Sequence, residues 1–119
     1  MVLKGLIMIE KISKERSEVP EPVPVSLGGI RYEVLPWGKA RGFGQNGGFI
    51  VAIDEATGEE KWILKIYDVL YTHDMEEDKQ DIFISELEVE SEYLLHVVNE
   101  REEHYLVNIE TQSVTKWVD

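Results

Sequence analysis

The residues best placed to do chemistry are three carboxylates at alternate positions, Glu86, Glu88 and Glu90, separated by Leu87 and Val89. In an extended strand that spacing puts the carboxylates on one face and the apolar side chains on the other. Like charges along one strand face repel, so keeping them there suggests an outside cation. Glu100, Glu102 and Glu103 follow in the adjoining turn, and residues 74–103 carry twelve acidic against two basic groups. The chemistry implied is electrostatic docking of a basic protein partner. The plain alternative is a solvated sheet face whose charge maintains solubility.

Other constellations are weaker. His73, His96 and His104 have no ligand spacing, and His73 with Asp74 and Glu76 is the one grouping close in sequence. Asp74, Glu76 and Asp78 open like a calcium loop, but Lys79 stands where the sharp turn needs Gly and Ser85 where the closing Glu belongs. Gly42, Gly44 and Gly47 spell G-x-G-x-x-G, yet an apolar strand pattern follows instead of a helix. Pyrophosphate binding needs that helix N-terminus, so the loop reads as a backbone connection. No Ser lies in a nucleophile-elbow context. The sequence therefore implies no catalytic residue, no cofactor and no metal site, and an enzyme is the lesser alternative.

The balance of charge supports the docking reading. Twelve basic and 24 acidic residues give a net charge of −12. Residues 1–47 are net +2 and residues 48–119 net −14. Phosphate backbones and anionic lipid surfaces both require cations, so nucleic acid and membrane are excluded as partners. Cys is absent, which removes disulfides and thiolate metal sites. The apolar run Leu6 to Ile9 is too short for a signal-peptide core or a membrane span. A cytoplasmic, bacterial-like protein is expected.

The elements that must position these groups are strands. Ile30 to Leu35 alternates. Phe49 to Ile53 is apolar on both faces, as a central strand would be. Asp54 to Gly58 supplies turn chemistry, and from Lys61 onward Trp62, Leu64 and Ile66 share one side. After a polar loop at residues 72–81, four more strands are expected at residues 82–90, 93–98, 104–109 and 114–118, with short turns between them. Before all of these, Pro20, Pro22 and Pro24 enforce an extended connector. The division expected is an N-terminal arm with Pro-rich connector at residues 1–27 and a single β domain at 28–119.

Residues 48–66 also have an echo near the C-terminus. Phe49 to Asp54 followed by Trp62 matches Tyr105 to Glu110 followed by Trp117. The stretch Val51 to Trp62 resembles the blade repeat of quinoprotein-type (PQQ-like) β-propellers, with a degraded second copy at residues 104–118. The resemblance implies a hairpin with an Asp-x-x-Thr-Gly turn and a Trp that docks between sheets. It covers no whole-chain family and brings no cofactor or metal ligand.

The fold expected is mainly β, an antiparallel meander of about 6–8 short strands forming a small sandwich or partly open barrel. Trp62 and Trp117 are both expected in its core, together with Val89. Since such a meander leaves edge groups unpaired, a homodimer is expected. The function expected is a non-catalytic acidic binding module, inhibitor or immunity-like, using Glu86, Glu88, Glu90, Glu100, Glu102 and Glu103. The alternatives are an assembly subunit pairing through edge strands, or a small ligand-binding or enzymatic barrel.

Overall fold

Alternating and apolar stretches become eight antiparallel strands in the computed structural model, which describes residues 18–73 and 80–117. The arm at residues 1–17 and the calcium-like Asp74, Glu76 and Asp78 lie outside the described residues. The strands are β1 (Val25–Leu27), β2 (Ile30–Leu35), β3 (Phe49–Asp54) and β4 (Glu60–Lys65), then β5 (Ile84–Ser91), β6 (Leu94–Asn99), β7 (His104–Asn108) and β8 (Ser113–Trp117). They form two four-stranded meanders, β1-β2-β3-β4 and β5-β6-β7-β8, with no closed barrel. No helix among the described residues is long and apolar enough to cross a membrane.

Register decides which side of each sheet is dry. In the first sheet Tyr32 and Val34 stand opposite Ala52 and Ile50, and these in turn stand opposite Trp62 and Leu64. In the second, Leu87, Val97 and Tyr105 line up across three strands, and Val89, Leu95, Val107 and Val114 across four. The two rows belong to one hydrophobic cluster. Ile50, Leu95, Val97 and Val107 are fully buried in it, and burial of such a side chain contributes roughly 1.5–3 kcal/mol. The linker adds Ile66, Tyr67, Val69 and Ile82, β5 adds Ile84, and β1 approaches β5.

Two core expectations fail, for different reasons. Trp117 pairs with His104, on the side away from Tyr105 and Val107, and is 45% exposed. Val89 lies on the dry side but next to a register shift, and is 41% exposed. Val25–Leu27, at the end of the Pro-rich connector, pairs with β2 as an edge strand. That position suits a segment whose prolines cannot donate to a ladder.

Both β-hairpin echoes use an Asx turn. The Asp54 side-chain carboxylate accepts from the Ala56 and Thr57 amides at 2.8 and 3.3 Å. Asn108 Oδ1 accepts from the Glu110 and Thr111 amides at 2.9 and 3.1 Å. Positive φ follows in each, at Gly58 and at Gln112. In structure, then, Asp54 corresponds to Asn108, two residues before the Glu110 that sequence matching selects.

The glycine-rich loop makes the joint between the sheets. A 3-10 turn at Gly38–Arg41 leads to the buried Gln45, whose amide donates to the Gly47 and Tyr67 carbonyls at 2.8 Å each. Its Oε1 accepts from the Val69 amide at 2.9 Å. A Cβ on Gly47 would fall 2.2 Å from the Ile82 carbonyl oxygen, so only Gly permits this approach. Asp81 accepts from Tyr71 Oη at 2.5 Å and from Asn46 Nδ2 at 3.2 Å. Burial pushes the Tyr67 phenol well above its usual range, and its hydroxyl donates to the Ile82 carbonyl at 2.7 Å. The polar groups here serve one another, which marks a structural knot rather than a site.

Candidate functional site

The outer face of the second sheet gathers the groups that the inner core does not use. Side chains alternate along each strand, so Leu87, Val97, Tyr105 and Val107 turn inward while Glu86, Glu88, His96, His104 and Leu106 turn outward. Glu88 stands directly opposite His96, a position whose Cβ atoms lie about 4.5–5.5 Å apart. Glu86 aligns with Val98, His104 and Trp117 across the remaining strands. The result is a diagonal ribbon over all four strands: carboxylate, imidazole, imidazole, indole.

The rings of that ribbon are in mutual contact. The His96 and His104 centroids are 5.0 Å apart, and Trp117 lies 5.1 Å from the first and 5.7 Å from the second. His96 Nε2 and His104 Nδ1 are 2.8 Å apart. One of these nitrogens must accept, so at least one ring is neutral while the bond stands. Beside the rings, Glu86 and Glu88 are exposed, and among the described residues no cation pairs with either.

The six glutamates picked out by sequence separate into groups. Glu86 and Glu88 share the outer face. Glu90 sits at the register shift between Val89 and Ser91, outside the regular pairing. Glu100 accepts the Phe83 amide at 3.0 Å through its carboxylate, tying the turn to the start of β5. Glu103 accepts from Asn99 Nδ2 at 2.9 Å and from Lys116 Nζ at 3.2 Å. The Asn99 bond, then the Lys116 bond, hold its carboxyl below the usual glutamate range. Glu102 takes positive φ in the turn and is exposed. Two of the six therefore organise the fold, and two lie exposed together on the outer face of the second sheet.

Sequence spacing alone does not associate His96 with His104, which lie on different strands with no ligand motif between them. The available signal was the five-residue turn from Asn99 to Glu103: once Val98 is set against His104, parity brings His96 to the same face. Among the described residues no group of three or more His, Asp or Glu is arranged to hold a metal ion.

A cleft lies on the outer face of the first sheet. Phe43 stacks on Phe49 with centroids 4.8 Å apart. With Gln45, Ile63 and Lys65 these rings line a cleft of about 360 Å³. Arg31, Arg41 and Lys65 surround that face, paired with Glu33, Glu60 and Asp68. No family model matches the chain, and no curated protein or solved structure is similar to it.

Proposed function

We propose that this chain is a non-catalytic acidic binding module that engages a basic protein through the outer face of its second sheet. The observation that carries the reading is the pair Glu86 and Glu88, exposed without a cationic partner among the described residues, on the face where the ring row His96, His104 and half-exposed Trp117 starts opposite Glu88. Carboxylates next to an aromatic surface suit Lys and Arg side chains, which lay apolar stems on rings and place their heads against anions. A strand-borne face is also rigid, so binding needs little ordering of the module itself. An inhibitor or immunity-like role is consistent with a small module of this charge.

The test is the triple change Glu86→Gln, Glu88→Gln and Glu90→Gln, which keeps size and strand pattern while removing charge. Partners recovered by pull-down are then measured by surface plasmon resonance against wild type and variant at low and moderate salt. The association rate at low salt is expected to fall roughly 3–10-fold, within the range that electrostatic steering supplies. Equal association rates at both salts would reduce the face to solvated surface.

A further inference from the structure

The imidazole pair on the outer face of the second sheet responds differently to a first added proton and to a second. His96 and His104 sit diagonally on neighbouring strands, since Leu106 is opposite His96 and Val98 is opposite His104. Their rings still meet, with His96 Nε2 2.8 Å from His104 Nδ1. Among the described residues neither ring has a further hydrogen-bond partner. In a neutral imidazole one nitrogen carries the proton and the other accepts. Whichever ring donates in the bridge therefore has its second nitrogen bare. A first proton goes there and makes the donor an imidazolium. That strengthens the bridge, because charge-assisted hydrogen bonds are roughly twice as strong as neutral ones. A second proton has to take the accepting nitrogen inside the bridge. It breaks the bond and sets two cations side by side, with ring centroids 5.0 Å apart.

The surroundings decide what the first proton does. From β5, Glu88 stands directly opposite His96, and Glu86 stands on the diagonal. From β8 come Trp117, opposite His104, and Thr115, opposite Leu106, neither of them charged. Lys116 is turned to the other side, where it pairs with Glu103. In the turn before β7, Arg101 and Glu102 are exposed. Val118 and Asp119 lie outside the described residues. The charges in strand register with the pair are thus two carboxylates. An imidazolium here stands against the same anions that a Lys or Arg head would use.

We infer that His96 and His104 form a pH-sensitive element that releases a basic partner from the outer face of the second sheet. The inference rests on the docking role proposed above and supplies its regulation. With the pair neutral, Glu86 and Glu88 present their charge unopposed. Uptake of one proton offsets one carboxylate at the centre of the face. A second proton offsets the other and parts the rings on which a Lys or Arg stem would lie. Imidazole is the side chain whose charge changes between about pH 5 and 8. Docking is therefore strongest above that window and weakens as pH falls through it. The coupling is reciprocal, so a bound cation beside Glu88 disfavours the proton by the same factor.

The probe is an oligolysine peptide, whose own charge is constant over this window. Its binding to the full chain is followed by NMR at the Glu86, Glu88 and His96 amides and the Trp117 indole N–H. Attachment elsewhere on the acidic surface then does not count. The affinity read at these groups is expected to fall roughly 3–10-fold from about pH 7.5 to about pH 5.5. The double variant His96→Gln and His104→Gln is expected to bind within about twofold at the two pH values, since Gln does not titrate. If that variant unfolds, His104→Gln alone, at the exposed ring, takes its place. Imidazole nitrogen shifts of wild type give a second reading that needs no variant. His96 and His104 are expected to change together as pH falls, with His73 as the single-ring reference. Peptide that holds the wild-type face equally at both pH values overturns the inference and leaves the docking role standing. An equal fall in wild type and variant does the same, and so do rings that change independently of each other. A peptide that touches none of these groups at either pH overturns the docking role, and the inference with it.

Discussion

The third strands of the two sheets show how one hairpin pattern can serve two surroundings. In β3, Phe49 to Ile53 are buried on both faces, with Phe43 stacked over the outer one. In β7 only Tyr105 and Val107 are buried, and His104 and Leu106 look outward. The difference lies in what covers each sheet, since both hairpins use the same Asx turn. A covered strand needs apolar residues at every position, and a half-covered strand tolerates His at one of them.

The sharpest way to break that comparison is to cut back the two counterparts. Ile50 is fully buried and His104 is exposed. Ile50→Ala is expected to destabilise the fold by about 2–5 kcal/mol, through lost transfer energy and the cavity left behind. His104→Ala is expected to stay within about 0.5 kcal/mol, as exposed substitutions do. Urea melts of both variants measure this. Equal losses would show that the outer face of the second sheet is as dry as the inner face of the first.

Most of this division was legible before any coordinates. Alternation places β2 and β4 to β8 within two residues of their observed bounds, and the unbroken apolar run marks β3 as covered twice. The β1 strand was not legible, because three residues after Pro24 are too few for a period and the prolines argue for a connector. The phase of Trp117 was missed for a subtler reason. The hairpin before Trp62 contains a register shift between Ala52 and Ile53, whereas the hairpin before Trp117 has none. With that shift, Trp62 opposite Ala52 and Trp117 opposite His104 lie on counterpart faces of their hairpins, but the face is turned inward in the first sheet and outward in the second. The glutamates of the second turn were recognised as acidic, but no sequence pattern distinguishes Glu103, held by Asn99, from Glu88, which faces outward.

The two Trp residues give the next largest contrast. Trp62 packs against the core with its ring 5.8 Å from Tyr32, whereas Trp117 is 45% exposed. Trp62→Ala is expected to cost about 2–3 kcal/mol, below the range for a fully buried Trp because part of the ring meets solvent. Trp117→Ala is expected to cost under about 1 kcal/mol, since it loses ring contacts on an open face. Thermal melts give the stabilities. Acrylamide quenching that is stronger for the Trp62→Ala protein than for the Trp117→Ala protein would place the accessible indole at 117, and the reverse order would exchange their faces.

The smallest expected effect separates the two kinds of glutamate. The Glu103 carboxyl is held below its usual range by the Asn99 hydrogen bond and then by Lys116. A depressed folded pKa means that the unfolded chain takes up the proton first as pH falls. Stability from this group is therefore fully present above the unfolded glutamate pKa, near 4.3, and is lost as pH falls through the lower folded value. The side chain is 33% exposed, so solvent screens the interaction and the contribution is below about 1 kcal/mol. Glu103→Gln is expected to lower the melting temperature slightly at neutral pH and to converge on wild type in acid. Glu88→Gln should leave neutral-pH stability unchanged or raise it slightly, because it relieves repulsion with Glu86 along the same strand face. Melting curves from pH 7 down to about pH 3 check both. If the Glu103 variant kept a constant offset across that range, its carboxylate would not be the group titrating. If Glu88→Gln destabilised as much as Glu103→Gln, Glu88 would belong with the glutamates that hold the fold together, and the proposed docking face would lose one of its two charges.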